Sequence, residues 1–160
     1  MALDVTDLTP RIGSEIRTDV ATLLGGSEAA TIREILERRG VVFFRGLDID
    51  DAQQVAIAKT LGNTVASEGE GGIYKISLDK DVNKRADYLK GSLFWHADGS
   101  LQPRPNLAAL LRAIRLSDTG GQTEFCNTYA AYDDLPDSEK KAIEQLRVVH
   151  SVERSQYYVT

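Results

Sequence analysis

The sequence has very little cysteine, since Cys126 is its single cysteine among 160 residues. One thiol cannot form an intramolecular disulfide bond, which excludes a disulfide-stabilised secreted scaffold. Reduced thiols are typical of the cytoplasm, and the first ten residues lack the basic start and apolar run of a signal peptide. We therefore predict a cytoplasmic protein.

The sequence also lacks a block of lysine and arginine residues, and its net charge is -5. Nucleic-acid-binding proteins usually carry a basic patch, so we predict no DNA or RNA partner. No apolar run approaches the roughly 18 residues of a membrane span, and we predict no membrane partner. A hydrophobic fraction of 42% and a charged fraction of 27% are typical of a soluble globular protein, and a length of 160 residues predicts one hydrophobic core.

Several catalytic motifs are missing. The sequence contains no glycine-rich phosphate loop with its lysine, no nucleophile-elbow serine and no paired cysteines for zinc. Gly120 and Gly121 are too short a stretch to hold a phosphate, and they predict a turn. Cys126 has no neighbouring histidine in the sequence and lies in a segment expected to be a buried strand, so we interpret it as an inert thiol.

Apolar periodicity predicts two amphipathic helices, one at residues 27–40 with Ser27 as N-cap and one at residues 50–61. The residues expected to face the core are Ala30, Ile32, Ile35 and Leu36 in the first helix, and Val55, Ala56, Ala58 and Leu61 in the second. Shorter helices are predicted at residues 128–135 and 137–147.

Apolar and alternating segments predict strands at residues 41–44, 73–78, 107–116, 122–126 and 148–152. Residues 107–116 also satisfy helical spacing, but their uninterrupted apolar content favours a buried strand. The strand at 41–44 is β-branched and aromatic, and we expect it to be buried. Residues 63–72 are polar and glycine-rich, which indicates a mobile loop. No repeat or long linker divides the chain, so a single domain over residues 1–160 is predicted.

Histidine chemistry depends on two residues, His96 and His150. On an extended strand, His96 and Asp98 would point to the same face, separated by about 7 Å of rise. An imidazole nitrogen and a carboxylate can bind one metal ion there. With another histidine they form the facial triad of nonheme iron oxygenases, which leaves coordination positions open, unlike a closed zinc site.

Other interpretations of these residues stay open. A histidine two residues before an aspartate occurs often by chance, and His150 follows two valines, which favours a hydrogen-bonded core histidine. A hydrolytic zinc site built from His96, Asp98 and His150 with a bound water is a further alternative.

Taken together, the ordered motifs are more specific than any one of them. They are GVVFFRG at 40–46, WHAD at 95–98, Pro105 with an apolar segment, TGGQTEF at 119–125 and NTYAAY at 127–132. In this order they resemble the taurine and phenoxyacetate dioxygenase family over about residues 9–152. The resemblance implies an α+β fold with a partial double-stranded β-helix, or jelly-roll, core and flanking helices.

The resemblance also implies roles for individual residues. His96 and Asp98 would be iron ligands and catalytic residues, and Thr123 would help bind the distal carboxylate of 2-oxoglutarate. The cofactors implied are Fe(II) and the cosubstrate 2-oxoglutarate. The reaction implied is hydroxylation of a small organic acid, similar to a sulfonate or an aryloxyalkanoate, by molecular oxygen.

The family's distal iron-binding histidine and its 2-oxoglutarate-pairing arginine would follow Thr160, so we expect a C-terminally truncated dioxygenase domain. The alternative from another class is a noncatalytic fragment whose strand edges need a partner chain. The sequence leaves open whether the protein forms a homo-oligomer.

Overall fold

The structure, a computed structural model, describes residues 3–62, 72–151, 153, 154 and 157. The described helices are α1 (Val20–Gly25), α2 (Ala29–Arg39), α3 (Asp51–Leu61), α4 (Ala86–Leu89), α5 (Thr128–Asp133) and α6 (Asp137–Ile143). The described strands are β1 (Asp4–Asp7), β2 (Ser14–Arg17) and β3 (Val42–Phe43). The fold is therefore a mixture of helix and sheet, as predicted.

The chain divides into two compact units. The first contains Met1–Thr64 and Arg112–Gln145, and the second contains Val65–Leu111 and Leu146–Thr160. All three strands lie in the first unit, whereas the described part of the second unit contains α4 and a 3-10 helix at Lys90–Leu93. The single domain expected from the sequence stays a prediction.

The sheet of the first unit has the strand order β1-β2-β3. β1 and β2 are antiparallel, with Asp7 opposite Ser14, and β3 runs parallel to β2, with Val42 opposite Ser14. The strand predicted at 41–44 is thus confirmed over two residues, but it is only partly buried. Phe43 is exposed, whereas Val42 and Phe44 are half-buried and pack against the core. β1 and β2 were not predicted, since four residues are too few to establish a period of two.

The four predicted helices are confirmed, although α6 ends at Ile143 rather than at residue 147. The prediction of Ser27 as N-cap is wrong. Gly26, with φ 70°, ends α1, and its carbonyl accepts a hydrogen bond from the Ala29 N–H at 3.2 Å. α2 consequently begins one residue later than expected, with Glu28 as an N-cap that makes no side-chain cap bond.

α3 begins with a reciprocal capping box. The Gln53 N–H donates to Asp50 Oδ1 at 2.8 Å, and the Asp50 N–H donates to Gln53 Oε1 at 2.9 Å. At the start of α1, Asp19 accepts from the Thr22 N–H at 2.7 Å, and this bond lowers the pKa of Asp19. Both aspartates satisfy amide groups that would otherwise lack partners in the first turn of the helix.

The core of the first unit lies between the sheet and the first three helices. Its buried residues are Ile16, Leu23, Ile32, Ile35 and Ile57. The prediction was right for Ile32 and Ile35 and wrong for Ala30, which is exposed. In α3 the buried residues are Gln54 and Ile57, while the predicted Val55, Ala56, Ala58 and Leu61 are half-buried. Leu61 packs against the buried cluster, so the prediction for α3 was partly right, although it missed Gln54 and Ile57.

Arg39, the last residue of α2, is 8% exposed and binds the turn between β1 and β2. Its Nη2 donates to the carbonyl of Thr9 at 2.5 Å and to that of Gly13 at 3.1 Å. Nη1 donates to the carbonyl of Pro10 at 3.2 Å, and Nε donates to Ser14 Oγ at 3.2 Å. One buried side chain thus satisfies polar atoms of the whole turn.

The same turn is attached to α5 on its exposed side. Arg11 Nη1 lies 2.5 Å from Asp134 Oδ2, and Arg11 Nη2 donates to the carbonyl of Ala130 at 3.2 Å. Asn127 Nδ2 donates to the carbonyl of Arg11 at 2.8 Å. The hydrogen bond from Arg11 lowers the pKa of the Asp134 carboxyl, which keeps the pair ionised.

The other predicted strands are wrong: residues 73–78, 107–116, 122–126 and 148–151 form no strand. Residue 152 lies outside the described residues, as does the predicted mobile loop apart from Gly72. Apolar runs indicate a tendency to be buried, but a strand also needs neighbouring backbone groups with which to pair. Leu107 is 70% and Ile114 is 76% exposed. Among the described residues, the segment 107–116 therefore has no neighbouring strand that covers it and pairs with its backbone.

The described sheet has three strands, which is fewer than the predicted jelly-roll requires. Within the described ranges, no helix is long and apolar enough to cross a membrane.

We predict that Arg39→Met lowers the free energy of unfolding by about 3 kcal/mol, because the carbonyls of Thr9 and Pro10 and the Ser14 Oγ lose the buried guanidinium as a donor. Urea denaturation followed by circular dichroism measures the change. Arg38→Met, at an exposed position of the same helix, is the control and should change the free energy by less than about 0.5 kcal/mol. Equal values for the two variants would contradict a structural role of Arg39.

Candidate functional site

His96 lies in an irregular segment that follows the 3-10 helix of the second unit. Its Nδ1 is 2.7 Å from the carbonyl oxygen of Phe94. A carbonyl oxygen can only accept a hydrogen bond, so Nδ1 carries the proton. In the neutral imidazole, Nε2 is then the nitrogen with the free lone pair, as a metal ligand requires.

Asp98 is positioned next to this nitrogen, with Oδ1 3.3 Å from His96 Nε2. The predicted extended strand is wrong here, because Asp98 begins a turn. Gly99 has φ 70° in that turn, and the Gln102 N–H donates to its carbonyl at 2.9 Å. A Cβ atom at Gly99 would lie 3.4 Å from the Asn106 nitrogen. The two side chains therefore converge through a tight turn rather than through strand periodicity.

The separation of the two donor atoms fits a metal ion. Nitrogen and oxygen ligands lie about 2.1 Å from a first-row divalent ion, so adjacent ligands of an octahedron are about 3 Å apart. The observed 3.3 Å between Nε2 and Oδ1 is close to that value. The His96 and Asp98 side chains are 48% and 65% exposed, which leaves one side of the pair accessible to further ligands.

His150 is exposed in an irregular segment, so its interpretation as a core histidine is wrong. Among the residues that the structure describes, no three histidine, cysteine, aspartate or glutamate side chains form a group able to hold a metal ion. The zinc site of His96, Asp98 and His150 stays a prediction without a described third ligand. Cys126 is likewise exposed and lies in no strand, contrary to the expected buried position.

Thr123 lies in the first unit, where it lines an open groove of about 290 Å³. The other lining residues are Leu8, Thr9, Ile12, Gly13, Val41, Phe43, Arg45 and Phe125. The groove is thus largely apolar, with the Thr123 hydroxyl and the Arg45 guanidinium among its few polar groups.

Arg45 was missed by the sequence analysis. Its guanidinium carbon lies 4.6 Å from the centroid of the Phe43 ring, and its Nε is 3.4 Å from Glu15 Oε2. The signal available in the sequence was a cationic residue directly after the apolar segment at 41–44. That signal did not indicate that Arg45 and Thr123 line the same groove.

Comparison with known proteins identifies the family. The sequence profile of the taurine catabolism dioxygenase TauD, TfdA family matches residues 4–159. An alpha-ketoglutarate-dependent sulfate ester dioxygenase of Pseudomonas putida is 34% identical over 96% of this chain and 51% of its own length. An alpha-ketoglutarate-dependent 2,4-dichlorophenoxyacetate dioxygenase of Burkholderia sp. (strain RASC) is 30% identical over 88% of this chain and 54% of its own length. The chain spans about half the length of these curated relatives.

A similar solved structure is that of AAD-2 in complex with Mn(II) and N-oxalylglycine. It superimposes with a TM-score of 0.83 and 26% sequence identity, covering 99% of this chain and 62% of AAD-2. The structural match and the profile match agree, and they confirm the resemblance predicted from the ordered motifs. The chain belongs to the TauD/TfdA family of dioxygenases.

Proposed function

We propose that the protein carrying this chain is an Fe(II)- and 2-oxoglutarate-dependent dioxygenase that hydroxylates a small organic acid. The observation that carries the proposal is the His96 and Asp98 donor pair, 3.3 Å apart, in a member of the TauD/TfdA family. The two relatives described above are named for their dependence on alpha-ketoglutarate, which is 2-oxoglutarate. We also propose the jelly-roll core, since AAD-2 is similar over 99% of this chain.

In this proposal His96 Nε2 and one carboxylate oxygen of Asp98 hold the iron. When bound, Fe(II) supplies the oxygen activation and redox chemistry that no side chain can perform. The Phe94 carbonyl accepts the Nδ1 proton, which fixes the ring orientation and increases the basicity of Nε2. The negative charge of Asp98 favours a divalent cation over a neutral ligand.

Thr123 binds the distal carboxylate of 2-oxoglutarate by donating its hydroxyl proton. The groove is open, and its lining residues Phe43 and Phe125 are exposed. A hydrogen bond to a charged oxygen is stronger than one between neutral groups. Thr123 therefore contributes to cosubstrate affinity rather than to the chemical step.

The proposed substrate class is a sulfonate-, sulfate ester- or aryloxyalkanoate-like organic acid. The names of the relatives support it, because they include a sulfate ester dioxygenase and dioxygenases of 2,4-dichlorophenoxyacetate and (S)-phenoxypropionate. Each of these compounds combines an anionic group with an alkyl or aryl group. Molecular oxygen is the second substrate.

We predict that His96→Ala and Asp98→Ala each weaken Mn(II) binding at least about tenfold while leaving the far-UV circular dichroism spectrum unchanged. Each variant removes one of the two donor atoms, and both residues are exposed enough to be replaced without loss of core packing. Electron paramagnetic resonance of free Mn(II) measures the affinity.

His150→Ala is the control, because it removes the other histidine, which is exposed and lies outside the donor pair. Wild-type Mn(II) affinity in His96→Ala or Asp98→Ala would refute the assignment of the metal site.

For Thr123→Val we expect the KM for 2-oxoglutarate to rise about tenfold at nearly constant kcat, as one lost hydrogen bond to a charged group implies. Succinate formation by the whole protein that carries this chain, at varied 2-oxoglutarate concentration, gives both constants. Thr119→Val replaces another exposed threonine of the same segment and should leave both unchanged. An unchanged KM in Thr123→Val would mean that Thr123 is an ordinary surface threonine.

The isolated 160-residue chain should form no succinate above background with Fe(II), ascorbate and 2-oxoglutarate. The described residues bring two candidate ligands together and no third. Iron-dependent succinate formation that disappears in His150→Ala would contradict this expectation and make His150 the third ligand.

A further inference from the structure

The two side chains of the donor pair are held in place by different means. His96 is oriented by a hydrogen bond, because its Nδ1 lies 2.7 Å from the Phe94 carbonyl oxygen. Asp98 lacks such support. Among the residues that the structure describes, its carboxylate contacts His96 Nε2, and no other group donates a hydrogen bond to it. The position of the Asp98 carboxylate therefore depends on the backbone on either side of it.

The backbone directly after Asp98 has a left-handed conformation. Gly99 has φ 70°, and its carbonyl accepts a hydrogen bond from the Gln102 N–H at 2.9 Å, which closes the turn. In an L-residue with this φ, the Cβ atom comes too close to the following carbonyl oxygen. Glycine has no Cβ atom and adopts the conformation without strain.

After the turn, the chain returns and lies against Gly99. A Cβ atom at Gly99 would be 3.4 Å from the Asn106 backbone nitrogen, 3.7 Å from Pro105 Cα and 3.8 Å from Asn106 Nδ2. Two of these three atoms belong to the backbone, and the proline ring fixes one of the backbone dihedral angles there. This segment cannot move aside as easily as the end of a flexible side chain can.

The ligand segment is thus restrained at both ends. On the upstream side, the Phe94 N–H donates to the Gly91 carbonyl at 3.3 Å, at the end of the 3-10 helix. On the downstream side, Gly99 lies against the returning segment 105–106. A change of φ at residue 99 must be absorbed between these two restraints, where Asp98 is located. Its carboxylate would then move away from the imidazole.

We propose that Gly99 is a positioning residue of the metal site and that its left-handed conformation determines the affinity for the metal. The inference rests on the proposed function, in which Asp98 is a metal ligand. Gly99 contributes no donor atom and acts through the Asp98 carboxylate. Because the turn already places the two donor atoms 3.3 Å apart, metal binding requires little rearrangement of the chain.

The test is the Mn(II) affinity of residue 99 variants, measured by electron paramagnetic resonance of free Mn(II). We expect Gly99→Ala to weaken binding about tenfold, because alanine disfavours a positive φ. Gly99→Asn should weaken it less, since asparagine adopts positive φ several times more often than most residues. Asparagine carries the same Cβ atom, so the comparison isolates the effect of φ. A larger loss in Gly99→Asn than in Gly99→Ala would contradict the proposal.

Gly120→Ala is the matched control. Gly120 has φ 71° and belongs to the first unit, and a Cβ atom there would have nothing within 4 Å. Urea denaturation should show a similar loss of stability in Gly120→Ala and Gly99→Ala, whereas Gly120→Ala should keep its Mn(II) affinity within about twofold. Equal Mn(II) affinities of the two alanine variants would reduce Gly99 to a structural residue and overturn the proposal.

A double-mutant cycle tests whether Gly99 acts through Asp98. In an Asp98→Ala background, Gly99→Ala should cause no further loss of Mn(II) affinity, because the carboxylate that it positions is missing. A further tenfold loss would show that Gly99 acts in another way. A failure of the proposed function looks different, since Asp98→Ala alone would then keep wild-type Mn(II) affinity.

Discussion

The buried guanidinium of Arg39 is the interaction on which the first unit depends. It donates to three carbonyls of the turn between β1 and β2 and to Ser14 Oγ on β2. Leu8, Thr9 and Ile12 of this turn region also line the Thr123 groove. One side chain at the end of α2 therefore links the helical core to a wall of the proposed binding groove.

Arg11 and Asn127 complete this arrangement from the exposed side. They bind the turn to α5. The segment that contains Thr123 and Phe125 comes just before this helix in the chain. The two attachments differ in energy. Arg39 is buried, so its hydrogen bonds replace lost hydration, whereas the Arg11–Asp134 pair is exposed and its attraction is screened by water. The inner attachment stabilises the fold, and the outer one mainly orients α5.

The candidate metal centre is organised by different means. His96 and Asp98 are both exposed, and their geometry comes from one backbone acceptor at Phe94 and one left-handed glycine at Gly99. Local backbone geometry is sufficient for two ligands that are close in sequence. The groove, in contrast, brings together Arg45 and Thr123 from distant segments, which requires the packed first unit.

The sequence by itself determined the helices at 27–40 and 50–61 within one or two residues, because helical hydrogen bonds and caps are local. Through motifs in a particular order it also predicted the family, which the profile match confirms, and it named His96 and Asp98 as candidate donor residues. The tertiary structure decided which of the apolar segments at 41–44, 73–78 and 107–116 became strands. Only the first pairs with a neighbour, because strand pairing depends on backbone groups from distant residues. Likewise, only the tertiary structure placed Arg45 and Thr123 in the lining of one groove.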